Sequence, residues 1–104
     1  MKQIKAFINP IRLDAVETAL GQIAGIPGLS INKVHGYGRC KTGQKELSEK
    51  IELQIVVRDE LVGTIVQCLQ DAARTGFVGD GKIFISTIDD AIRIRTGQWG
   101  EAAL

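Results

Sequence analysis

The sequence predicts an α+β fold built from two consecutive β-α-β units, with an antiparallel sheet and both helices on one face. Two segments carry apolar residues at helical spacing, and each is bracketed by runs rich in β-branched residues. The resulting order is strand, helix, strand, repeated once. At 104 residues the chain suffices for a single domain spanning residues 1–104, with one core and no room for a second.

The elements follow in order. A first strand covers Gln3 to Ile8. From Asp14, apolar residues at Val16, Ala19, Leu20 and Ile23 define a helix that Gly25, Pro27 and Gly28 stop. The second strand is Ser30 to His35 and the third Lys50 to Val57. Between them lies "GYGRCKTGQKELSE", Gly36 to Glu49, polar and too long for a tight hairpin, and so expected to be a working loop. Asp59 is the expected N-cap of a second helix, which turns Leu61, Val62, Ile65, Val66, Leu69 and Ala72 toward the core. The fourth strand is Lys82 to Ser86, followed by a turn or helical segment at Asp89 to Ala91, a brief strand at Ile92 to Arg95 and a loose tail. The whole is the pattern of the ferredoxin-like double β-α-β sandwich.

Composition narrows the function. Thirteen Lys and Arg against twelve Asp and Glu leave a net charge of +1, so no basic field points to nucleic acid and any anion site must be local. No apolar run approaches the roughly 20 residues of a membrane span and no signal peptide is recognisable, which makes the cytoplasm the expected location. Membrane recruitment is expected only through a protein partner. Two cysteines and one histidine, with no C-x-x-C, predict neither a metal site nor a structural disulfide.

Three stretches suit an anion. "TGFVGDGKIF" fits seven places of the phosphate-loop pattern G-x-x-x-x-G-K-[ST], but Ile83 stands at the hydroxyl position. A phosphate loop also runs from strand to helix, whereas this one runs from helix to strand. What remains is Gly76, Gly79 and Gly81 followed by Lys82, glycines that let backbone N–H groups converge on a ligand. Asp80 is left two roles, bonding the loop itself or facing a metal or sugar hydroxyl.

In "IRIRTG", an extended segment places Arg93 and Arg95 on one face with Ile92 and Ile94 toward the core. Such a pincer suits phosphate, and its alternative is pairing with surface carboxylates such as Glu101. In "GYGR", Gly36, Tyr37, Gly38 and Arg39 stand at the mouth of the long loop. Cys40, between Arg39 and Lys41, has neighbours that favour thiolate, while Cys68 reads as a small core residue. Trp99 is expected to anchor the tail or to meet a partner. No serine, cysteine or histidine has an evident catalytic partner, so the chain is not read as an enzyme.

These residues resemble a known family, the PII signal-transduction proteins of nitrogen regulation. "NPIRLDAVETAL" is similar to the family's opening, "GYGR" to its G-[FY]-G-R, "RTGFVGDGKIFIS" to its B-loop and "AIRIRTG" to its C-loop. The resemblance covers nearly the whole chain. It implies a homotrimer that binds an adenine nucleotide, ADP, AMP or ATP, in clefts between subunits, with no metal required. By the same resemblance Gly79, Asp80, Gly81, Lys82 and Arg39 would line the phosphates, and Arg93 and Arg95 would reach across from the adjacent subunit. Ser30, Val56 and the Gly36–Gly38 backbone would border the nucleotide.

The chain also departs from the pattern. Gln54 replaces a Glu on strand three, and Cys40 replaces a Gln that helps hold magnesium and 2-oxoglutarate. Lys50 matches the lysine that meets the 2-oxoglutarate carboxylate, so Cys40 and Lys50 are the expected co-effector residues. The loop is shorter than the family's T-loop and lacks its uridylylated Tyr. The resemblance therefore implies a divergent PII-like sensor whose loop, residues 36–49, changes order with bound ligand and regulates a protein partner, a transporter or enzyme, in inorganic-carbon (bicarbonate) or nitrogen metabolism. A slow ATPase and a regulator linked to metal efflux are the alternatives.

Overall fold

The computed structural model of the chain describes residues 1–39, 43 and 45–104, with the backbone alone at residues 39, 45 and 46. It is an α+β fold of four antiparallel strands and two α-helices, as the patterning predicts. The strands are β1 (Lys2–Ile8), β2 (Ser30–Arg39), β3 (Lys45–Val57) and β4 (Gly81–Thr87), in the sheet order β2-β3-β1-β4. The helices are α1 (Leu13–Leu20) and α2 (Val62–Ala73).

Alternation along the central strands decides which face the helices cover. Ile4, Ala6 and Ile8 of β1 and Ile51, Leu53, Ile55 and Val57 of β3 point one way and are buried beneath Val16 and Leu20 of α1 and Ile65, Leu69 and Ala73 of α2. The residues between them, such as Lys5, Phe7, Glu52 and Gln54, stand on the face without helices. There the Gln54 amide donates to Glu52, and Lys5 pairs with Glu52 at 3.7 Å. The guanidinium of Arg12 ties the start of α1 to the end of α2 by donating to Ala72 O at 2.9 Å.

The helix bounds differ from those the sequence suggests: α1 starts one residue before Asp14, and α2 starts only at Val62. A 3-10 turn at Pro10–Arg12, capped by the Asn9 carboxamide on Ile11 N at 3.1 Å, precedes α1, which ends at Leu20 and leaves Ile23 in the following turn. A second 3-10 turn at Asp59–Leu61 precedes α2. Asp59 does not cap it, because its carboxylate is taken by the Met1 ammonium at 3.0 Å. That pairing, through a hydrogen bond and charge attraction, lowers the Asp59 pKa from its ordinary value.

The largest correction concerns residues 36–49. Most of that span is not a loop: Gly36–Arg39 continue β2, Lys45–Glu49 belong to β3, and the register runs unbroken from Ser30↔Gln54 to Arg39↔Lys45. The last β1 residue, Ile8, lies opposite Ile51, which pairs with Lys33. From Val34 to Arg39 the two strands therefore form a bare ribbon, projecting by about 20 Å at the usual rise per residue. Cys40, expected to contact a co-effector, lies outside the described residues.

At the other edge, β4 pairs with β1 alone and leaves Phe84 and Ile85 half exposed on opposite faces. Beyond it the expected turn or helical segment at 89–91 and strand at 92–95 are absent. Ile92 makes only an isolated bridge with Trp99, and the tail folds into a 3-10 turn at Gly100–Ala103. Among the described residues, no helix is long and apolar enough to cross a membrane.

Candidate functional site

The ribbon root, β1 and the start of β4 enclose a cavity of about 690 Å³, within the range of small-molecule sites. Gly36, Tyr37 and Gly38 line it from β2, Gly79, Gly81 and Lys82 from the glycine loop, and Lys50 from β3. Two glycine motifs more than forty residues apart in sequence thus meet, because the β2-β3-β1-β4 order carries both to the same end of the sheet.

The glycine loop owes its shape to Asp80. Its carboxylate accepts from Thr75 N and Gly76 N, each at 2.9 Å, and from the Thr75 hydroxyl. The Thr75 hydroxyl bond and then these two amide bonds hold the Asp80 pKa below its ordinary value. Of the two roles open to Asp80, the structure takes the internal one. Asp80 lines a separate cavity of about 390 Å³ on the helix side and not the cavity with Gly36–Gly38.

Gly81 permits the crossing from loop to strand. Its φ is +98°, and a Cβ there would sit 1.6 Å from the carbonyl oxygen of Phe7. Lys50 then fixes the loop against the ribbon by donating from Nζ to Gly79 O. The cavity is left with two lysines, Lys50 and Lys82, beside glycine backbone, a combination suited to an anion.

Phe7 and Phe84 also line the cavity, their rings edge to face with centroids 6.1 Å apart at 81°. Sequence reasoning passed over both. Their signal was an aromatic at an outward position of a strand whose inward positions were already apolar, where a polar residue is the expectation.

Four of the expected site residues lie elsewhere. Ser30 starts β2, six residues from Gly36 and so about 20 Å away along the strand. Val56 pairs with Gln3 near the same end of the sheet. Arg93 and Arg95 follow β4 at that end, where Ile88 N bonds Met1 O at 3.1 Å and Glu101 faces Arg58 at 4.0 Å. The expected site residues of one chain therefore fall into two groups at opposite ends of its sheet. Arg39 continues β2 beside Gly38, its side chain outside the described residues.

The arginine pincer is not built as expected. Ile92 and Ile94 are 51 % and 99 % exposed instead of facing the core, and Arg93 turns inward to the tail while Arg95 is exposed. A tight loop closed by Gly97 N to Arg93 O at 2.7 Å reverses the chain and breaks the alternation. Glu101 serves neither arginine, being directed at Arg58. Trp99 is 63 % exposed, so it does not anchor the tail by burial. Cys68 packs against the core, where burial pushes its thiol pKa up. Among the described residues, no three His, Cys, Asp or Glu side chains gather as metal ligands.

The family model described as "Nitrogen regulatory protein P-II" matches residues 1–98. Curated relatives bearing that name are similar over the full length of both chains: 45 % identical in Cereibacter sphaeroides, 46 % in Rhodobacter capsulatus and 43 % in Haemophilus influenzae. Each of these alignments runs over 114 residues against the 104 of this chain, so the relatives carry at least ten positions that it lacks.

Proposed function

Since the chain belongs to the nitrogen regulatory protein P-II family, whose members are regulators and not enzymes, we propose that it is a signal-transduction regulator that senses an adenine nucleotide, ADP, AMP or ATP. The observation that carries this reading is the convergence of Gly36–Gly38 with Gly79, Gly81 and Lys82 on one cavity, with Lys50 and Lys82 at its wall. Phosphates lie along the glycine backbone, where no Cβ intervenes, and the two ammonium groups balance their charge.

The split between the two ends of the sheet supports a head-to-tail oligomer. Ser30, Val56, Arg93 and Arg95 of one copy complete the cavity of the next, so the contact is head to tail and the copies close into a ring, a homotrimer. The bare ribbon at residues 34–39 and 45–50 is the surface offered to a protein partner, a transporter or an enzyme. Lys50 and Cys40 are the residues for a small co-effector, 2-oxoglutarate or bicarbonate. The site works in the cytoplasm as one domain, residues 1–104.

Calorimetric titration with ADP, AMP and ATP, each with and without magnesium plus 2-oxoglutarate or bicarbonate, tests the reading. Binding of one adenylate, weakened at least tenfold by Lys82→Ala, is expected from the loss of a charge-assisted phosphate contact. No binding of any adenylate to the assembled protein would remove the nucleotide from the proposal.

A further inference from the structure

Arg93 is held by the tail. Its Nε donates to Ala103 O at 3.2 Å and its Nη2 to Leu104 O at 2.5 Å. The path that brings those oxygens to it is closed by several bonds. Arg93 N donates to Gln98 O at 2.9 Å, and Gly100 N to both Ala91 O at 2.9 Å and Asp90 Oδ1 at 3.1 Å. Gly100 has φ +69°, which turns the chain back over the arginine.

A tail in this place either withholds the guanidinium from a ligand or aims it. A guanidinium carries five N–H donors in a rigid fork. The tail engages Nε and Nη2, one edge of that fork, and leaves the Nη1 edge open to a second acceptor. Contact is made through main-chain oxygens, while Glu101, the acidic side chain of the tail, turns to Arg58. Arg95, two residues on, is exposed and has no such hold. The arrangement suits aiming, because a fork fixed on one edge loses little further freedom when the other edge meets an anion.

The geometry points to Gly100–Leu104 as a positioning element for Arg93: the oxygens of Ala103 and Leu104 set the guanidinium in the direction from which it grips a phosphate oxygen. This rests on the nucleotide reading above, with Arg93 serving the cavity of the adjacent copy. The tail is then part of the binding site although it touches no ligand.

The test compares dissociation constants for ADP and for tripolyphosphate, which carries the phosphates without a base, in the full chain and in a chain ending at Trp99. Both are made with Arg93 and with Arg93→Lys. Ending the chain at Trp99 is expected to weaken both ligands about tenfold in the Arg93 background, the worth of one well-aimed charged hydrogen bond. It is expected to change little in the Arg93→Lys background, because an ammonium is not oriented by a fork. Unchanged or tighter binding in the Arg93 background overturns the inference, the second result making the tail a competitor. An equal loss in both backgrounds also overturns it, since the tail would then act on the fold. Should the shortened chain not fold, Gly100→Val gives the same comparison, since the Cβ meets nothing within 4 Å and only the backbone turn is strained. A full chain that binds neither ligand overturns the nucleotide reading itself, whereas intact binding that ignores the tail overturns this inference alone.

Discussion

The ammonium of Lys50, at the root of the ribbon, donates to the carbonyl oxygen of Gly79 in the glycine loop. This contact makes the ribbon and the loop one unit, and it joins the residue expected to meet a co-effector to the residues expected to meet phosphate. Lys50→Met keeps the length of the side chain and removes the donor. Adenylate affinity is expected to fall by about fivefold to tenfold, as for a partly exposed charged hydrogen bond. Amide exchange at residues 76–81 should quicken in the free protein, which hydrogen exchange by mass spectrometry would read. Unaltered exchange there would separate Lys50 from the loop.

Two glycines of the site should respond to alanine in opposite ways. Gly81→Ala forces a Cβ against the Phe7 carbonyl at a φ of +98°, so the start of β4 must shift. A loss of about 3 kcal/mol or more in unfolding free energy is expected, by strain and broken pairing together. At Gly36 a Cβ meets nothing within 4 Å and the backbone is ordinary strand. Gly36→Ala should leave stability within about 0.5 kcal/mol of the parent and yet weaken nucleotide binding, because the methyl enters the cavity. Chemical denaturation alongside calorimetry distinguishes the two.

Asp80 links loop order to acidity. Its pKa is lowered by the Thr75 hydroxyl first and then by the amides of Thr75 and Gly76, so the folded form favours the charged carboxylate more than the unfolded chain does. The stabilisation is fully present above the ordinary carboxylate pKa, near 3.9, and is lost as the pH falls through the lower folded value. The amide resonances of Thr75 and Gly76 should therefore titrate with a midpoint below about 3.9. Asp80→Ala should erase that titration and weaken nucleotide binding through the disordered loop. A midpoint at or above the ordinary value would contradict the bonding described.

The proposed head-to-tail assembly predicts complementation. Lys82→Ala spoils the cavity end, and Arg95→Ala spoils the far end, so each variant alone should bind adenylate poorly. Co-refolded at equal amounts, head-to-tail copies pair an intact cavity with an intact arginine at about a quarter of contacts by random assortment. Stoichiometry by calorimetry should recover to that fraction. A site contained within one chain would show no recovery.

Much of the fold was legible because its signals are periodic. Val16, Leu20, Ile65 and Leu69 recur at helical spacing, and all are buried where the pattern puts them. The ribbon was missed for a physical reason: past Ile51 it has no helix above it, so Tyr37 and Leu47 pair in the open and no burial imposes alternation on their neighbours. Asp59 reads as a cap, but the Met1 ammonium that captures it arrives through tertiary packing, which local sequence does not encode. The two glycine motifs were visible, whereas their meeting followed from strand order and register. The inward turn of Arg93 depended on a chain reversal at Gly97, whose φ of +72° could have been suspected from "TGQWG" but whose partners could not.

The exposed side of β4 has a consequence for how the protein reaches its working state. Its unpaired edge and the half-exposed Phe84 and Ile85 form a template for indiscriminate strand pairing. In the proposed assembly, a chain that has just folded carries that template until other copies cover it. Maturation is then a race between orderly association and aggregation. Too dilute, the chain stays uncovered for long; too concentrated, partly folded chains collide before their edges are set. The yield of native protein on refolding should pass through a maximum as concentration rises, and Phe84→Lys, by charging the edge, should flatten it.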